Sequence, residues 1–74
     1  MENKLRDIIA SVLNVDSKLI NNDSSSDTLD AWDSLNHMNL IMSIEEEFEV
    51  SFEEEEIIDM TSFKSLLEFL EKNT

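Results

Sequence analysis

The sequence predicts an all-α fold: a small bundle of three longer helices and one short one, with a single long loop after the first helix. Three observations carry this. Apolar residues recur at helical spacing wherever the chain has a pattern, no stretch alternates as a strand would, and the one long polar interruption is built of turn formers. At 74 residues the chain is expected to be a single domain spanning 1–74 with room for one modest core, since a domain near 60 residues buries only about 60% of the surface its unfolded chain exposes.

Leu5, Ile8, Ile9, Val12 and Leu13 put one apolar stripe on a first helix running from about Glu2 to Leu13. Asn14 is a suitable stop, because asparagine tolerates the left-handed conformation and the chain has no glycine to supply it. From Asp16 to Asp33 the pattern lapses, and the run Asn21, Asn22, Asp23, Ser24, Ser25, Ser26, Asp27 favours local side-chain bonds to the backbone over helix. Leu19, Ile20 and Leu29 are expected to pin this loop. Its Asp/Ser alternation fails as a calcium loop: counting from Asp23, the sixth position is Thr28 instead of glycine and the twelfth is Ser34 instead of glutamate.

The second helix is expected to begin at or just after Ser34 and reach about Glu49, with Leu40, Ile41, Ile44 and Phe48 facing the core. Leu35, Met38 and Met42 widen its apolar arc beyond what a core face requires, and methionine suits adaptable interfaces as well as core filling. Glu53 to Glu56 form an acidic first turn for a short third helix with Ile57, Ile58 and Met60. Thr61 or Ser62 can cap the last helix, in which Phe63, Leu66, Leu67 and Leu70 repeat at helical spacing towards the carboxyl terminus.

Composition removes whole function classes. Without cysteine there is no disulfide, thiolate metal site or thiol nucleophile, and an intracellular location is the default. No apolar run approaches the roughly 20 residues of a membrane span. The amino terminus lacks the features of a signal peptide, so a cytoplasmic protein is expected. The net charge of −13 is concentrated: all five basic residues lie outside Leu19 to Phe63, while thirteen of the eighteen acids lie inside it. Such a surface repels nucleic acid and anionic membranes and steers proteins with basic patches towards itself. Mutual repulsion among these acids also predicts that salt stabilises the fold.

Ser34 is the one candidate for chemistry, and three readings compete. As a helix cap it would accept from a first-turn amide, with Asp33 adding charge beside the dipole. As a nucleophile it would need a base, an orienter and an oxyanion hole, yet His37 is the only histidine and no glycine-rich elbow exists. As an attachment site it needs a hydroxyl at a helix start beside a surface another enzyme recognises, and this sequence has each of these.

Asp33-Ser34-Leu35, followed by "NHMNLIMSIEEEFEVSFEEEE", resembles the modification motif and recognition helix of acyl carrier proteins, and the resemblance extends through the whole chain. It implies an acyl-carrier-like four-helix bundle whose Ser34 takes 4′-phosphopantetheine from coenzyme A through a phosphopantetheinyl transferase that uses magnesium. The arm's thiol would hold an acyl or aminoacyl group as a thioester, which explains how a thioester carrier can lack cysteine. The chain would then be a non-catalytic, monomeric carrier binding no metal of its own. Asp33 matches the family's acid before the serine, with Leu35 completing the motif. Met38, Met42, Glu45, Glu46 and Glu49 become contact residues for loading and transferring enzymes with basic docking patches. Leu40, Ile44, Phe48, Ile57 and Met60 would line the interior that shelters acyl chains in members with fatty cargo.

Three departures from the family pattern stand out. Ala31-Trp32 occupies the place where glycine commonly lies two residues before the motif, so the turn must be made differently, with Trp32 anchoring the loop. Asn36 and Asn39 replace acids usual in fatty-acid-synthesis carriers, which suggests a specialised pathway. His37 is expected to be a solvated side chain. The alternatives are an aminoacyl or D-alanyl carrier and, from a different class, an unmodified acidic helical docking module.

Overall fold

The computed structural model describes Glu2 to Asn73, so the last position of the carboxyl-terminal helical pattern, Thr74, lies outside the described residues. Helix α1, Glu2–Leu13, ends at Asn14 with φ 57°, the left-handed stop that asparagine was expected to provide. Val15 N–H then reaches back to the Ala10 carbonyl at 3.0 Å and closes the helix end. Leu5, Ile9, Ala10 and Leu13 are buried, while Ile8 and Val12 sit at the margin of the stripe.

The loop that follows is more ordered than its composition suggests. Asp16 caps a one-turn 3₁₀ helix, Ser17–Leu19, through a bond from Lys18 N–H. Ile20 is buried, Leu29 half-buried, and Leu19 is exposed, contrary to expectation. Adjacent residues leaving a tight turn point in different directions, and Ile20 takes the inward position while the Arg6 side chain holds its carbonyl at 3.1 Å. Further on, Ser26 N–H donates to Thr61 O and Phe63 N–H donates to Ser24 O, both at 2.9 Å. This isolated antiparallel bridge, Ser25 with Ser62, clips the loop to the start of the last helix.

Helix α2, Ser34–Phe48, buries Leu40, Ile41 and Ile44 as the periodicity requires, and also His37. Its carboxyl end is closed by Glu49 in the left-handed conformation, φ 55°. Helix α3, Glu54–Asp59, opens on a capping box in which Glu53 and Glu56 bond reciprocally. Helix α4, Phe63–Asn73, is capped by Ser62 through Ser65 N–H and buries Phe63, Leu66, Phe69 and Leu70. Among the described residues there is no strand. Helix α1 packs on α2, α4 and the 3₁₀ turn around a core that α2 and α4 complete. Phe52 in the α2–α3 connection stacks on Phe69 at 4.2 Å between centroids, a contact without periodicity to announce it.

Candidate functional site

The start of α2 differs from the simplest sequence reading in a way that matters for Ser34. The cap is Asp33, in extended conformation, whose Oδ1 accepts from Asn36 N–H at 2.8 Å. Ser34 is therefore the first residue of the helix, exposed, with its hydroxyl bonded to no described residue. A carboxylate one residue earlier has taken over the role that would have explained a serine here without function.

The turn before it is built without glycine. Trp32 N–H donates to Leu29 O at 3.0 Å, and the Asn36 side-chain amide donates to Ala31 O at 2.8 Å. Asn36 thus ties the loop to the helix, a role an acid at this position could not fill because a carboxylate has no N–H to give. Trp32 is 2% exposed and anchors the loop as expected.

His37 is the main correction. It is 8% exposed rather than solvated, and both ring nitrogens are engaged. The Trp32 indole Nε1–H donates to His37 Nδ1 at 3.0 Å, and His37 Nε2 lies 2.6 Å from the Ile57 carbonyl oxygen. An indole nitrogen only donates and a carbonyl only accepts, so these partners select the neutral imidazole with its proton on Nε2. The ring therefore joins the loop, α2 and α3. The signal was present in the sequence: His37 lies three residues before Leu40 and four before Ile41, on the core stripe, but its polarity argued for solvent.

Ser34 opens into a cleft of about 490 Å³ lined by Trp32, Asp33, His37, Met38, Ile57 and Ile58, together with Ser26 and Thr61. Of the residues singled out by sequence, Trp32, Asp33, Ser34, His37, Met38 and Ile57 come together here. Leu35 and Met42 are exposed along the same helix, and Ile58 adds an unforeseen exposed apolar side chain from α3. Glu46 and Glu49 are exposed at the far end of α2, roughly 20 Å of helix away from Ser34. Glu45 is half-buried and spends one carboxylate oxygen on Phe52 N–H at 2.9 Å, which organises the α2–α3 connection. Among the interior positions, Leu40 and Ile44 are buried, whereas Phe48, Ile57 and Met60 are only partly so.

Comparison with known proteins agrees with this geometry. The pattern of the family described as "Phosphopantetheine attachment site" matches residues 3–70. The acyl carrier protein of Buchnera aphidicola subsp. Schizaphis graminum is 35% identical over 71 residues, covering 95% of this chain and 89% of that protein. The solution structure of the holo acyl carrier protein from Geobacter metallireducens superposes with a TM-score of 0.84 at 32% identity, covering 96% of this chain and 82% of that one. The non-reducing polyketide synthase AC of Didymella fabae is 36% identical over 67 residues, 90% of this chain but 2% of the synthase.

Proposed function

The chain belongs to the acyl carrier protein family, whose cofactor is a covalently attached 4′-phosphopantetheine, and we propose that Ser34 is the residue that bears it. The observation that carries this is the exposed, unbonded Ser34 hydroxyl at the first position of α2, released from capping by Asp33. The surroundings fit the group. A phosphodiester on Ser34 Oγ would lie at the positive end of a 15-residue helix, and the adjoining cleft offers both apolar and hydroxyl-bearing walls to the arm. When bound, the group supplies the thiol that holds cargo as a thioester. Ser34 receives it from coenzyme A through a transferase, and Asp33 and Leu35 flank it as recognition residues.

The chain itself carries cargo and leaves catalysis to its partners. His37 cannot serve Ser34 as a base, because Nδ1 already accepts from Trp32 and Nε2 is held against Ile57 O. Exposed Met38 and Met42 with Glu46 and Glu49 form the strip that partner enzymes with basic patches would contact; Glu45 contributes its remaining oxygen. A specialised pathway, rather than general fatty acid synthesis, is supported by the two asparagines in early α2, of which Asn36 is committed to the loop, and by the likeness to a polyketide synthase segment.

Intact mass after incubation with coenzyme A, magnesium and a broad-specificity phosphopantetheinyl transferase tests the assignment. Wild type should gain one phosphopantetheine group and Ser34→Ala none. No gain in folded wild type with two different transferases would favour an unmodified docking module.

A further inference from the structure

The bond between His37 Nε2 and Ile57 O joins α2 to α3 at the cleft beside Ser34, which Trp32, His37 and Ile57 all line. His37 lines the cleft and is itself buried. The next residues on its stripe, Leu40, Ile41 and Ile44, are buried and none of them lines that cleft. On α3, Ile57 is fixed by its own carbonyl to His37, and that helix has no fully buried residue of its own. A chain threading between α2 and α3 at this point would part this bond, leaving the buried imidazole N–H without its partner. The cleft offers a different berth, in which Met38, Ile57 and Ile58 supply apolar surface and Ser26, Thr61 and Asp33 supply polar contacts.

We propose that the Trp32–His37–Ile57 latch closes the bundle to cargo, so that this carrier holds short acyl groups, polar ones included, in the cleft outside the core. His37 is thus a positioning and specificity-determining residue. The inference rests on Ser34 bearing the arm, and its test separates the two.

Wild-type protein and His37→Leu would be loaded with acetyl- or hexanoyl-phosphopantetheine from the matching coenzyme A thioesters, with loading verified by intact mass. Methyl and indole proton–heteronuclear spectra of the two forms are then compared. In wild type, exchanging acetyl for hexanoyl should shift Met38, Ile57 and Ile58 while leaving Leu40, Ile44 and Leu66 in place. In His37→Leu, hexanoyl should reach the core and shift Leu40 and Ile44. Shifts of Leu40, Ile44 and Leu66 in wild type would overturn the latch even though Ser34 is loaded. Failure of wild type to gain mass would instead remove the attachment reading and this inference with it. The wild-type comparison decides the matter even if His37→Leu does not fold.

Discussion

At the scale of single residues, the imidazole of His37 is the most informative group in the molecule, because its two partners leave it one protonation pattern. Nitrogen shifts of the ring should show the Nε2–H tautomer in the unmodified protein, and an Nδ1–H pattern would contradict the hydrogen bonds described. Replacing Trp32 by Phe keeps most of the packing but orphans the Nδ1 acceptor, so a loss of about 1–3 kcal/mol is expected in urea unfolding. The same magnitude bears on cargo. Parting the His37–Ile57 bond orphans the buried imidazole N–H at about 1–3 kcal/mol, while Ile57 is only half-buried, and each buried CH₂ returns about 0.8 kcal/mol, so roughly one to four methylenes must be buried merely to offset it. Opening a close-packed core adds to that cost. Glu45 makes a smaller but similar argument: its carboxylate accepts from Phe52 N–H, and Phe52 is buried. Glu45→Ala should cost about 1.5–3 kcal/mol, more than an exposed acid without an internal bond would, and thermal unfolding of Glu45→Ala beside Glu46→Ala checks the difference.

At the scale of elements, both ends of α2 give separable predictions. Asp33→Ala removes the cap and should cost about 1 kcal/mol, while Ser34→Ala should stay within about 0.5 kcal/mol of wild type yet abolish loading. Equal destabilisation of the two variants in urea would return the cap to Ser34. At the other end, Glu49 sits at φ 55°, where a side chain is strained and glycine is not. Glu49→Gly should stabilise by about 0.5–1 kcal/mol, a rise of roughly 2–8 °C in Tm for a domain of this size. The contrast with Asn14 shows what a sequence can disclose. Asparagine is a known occupant of the left-handed region, so the end of α1 was legible, whereas the glutamate that ends α2 adopts the same conformation with no propensity to signal it. The capping box of α3 lay within a run of four glutamates, any of which could have filled either position.

At the scale of the whole molecule, what periodicity governs was readable and what crosses between segments was not. The stripe of α1 and most of those of α2 and α4 follow from spacing, but in α4 Phe69 is buried where Leu67 was expected, Leu67 being only partly so, and in α2 His37 joins the stripe. The Trp32–His37–Ile57 chain, the Ser25–Ser62 bridge and the Phe52–Phe69 stack join distant segments by contacts that no local pattern encodes. Charge is also a property of the whole. Two ion pairs are formed among the described residues, Lys4 with Glu47 at 3.6 Å and Arg6 with Glu2 at 3.5 Å. Exposed pairs of this kind contribute little, and only the first neutralises an acid of the middle segment, leaving the net charge of −13 to act on the fold as repulsion. Added salt should therefore raise Tm. Screening has a signature: the Debye length falls from about 30 Å at 0.01 M to about 10 Å at 0.1 M, and the principal extents of the molecule are 26 × 23 × 19 Å. Most of the gain should come below about 0.1 M and be the same for sodium and potassium chloride. A gain that instead grows linearly to molar salt would indicate general strengthening of apolar burial. Neutralising exposed acids that make no internal side-chain bond and lie away from helix amino termini, Glu46→Gln with Asp30→Asn and Asp59→Asn, should raise Tm at low salt and flatten its dependence on ionic strength. An undiminished slope in that triple variant would mean that repulsion in the middle segment is not what salt relieves.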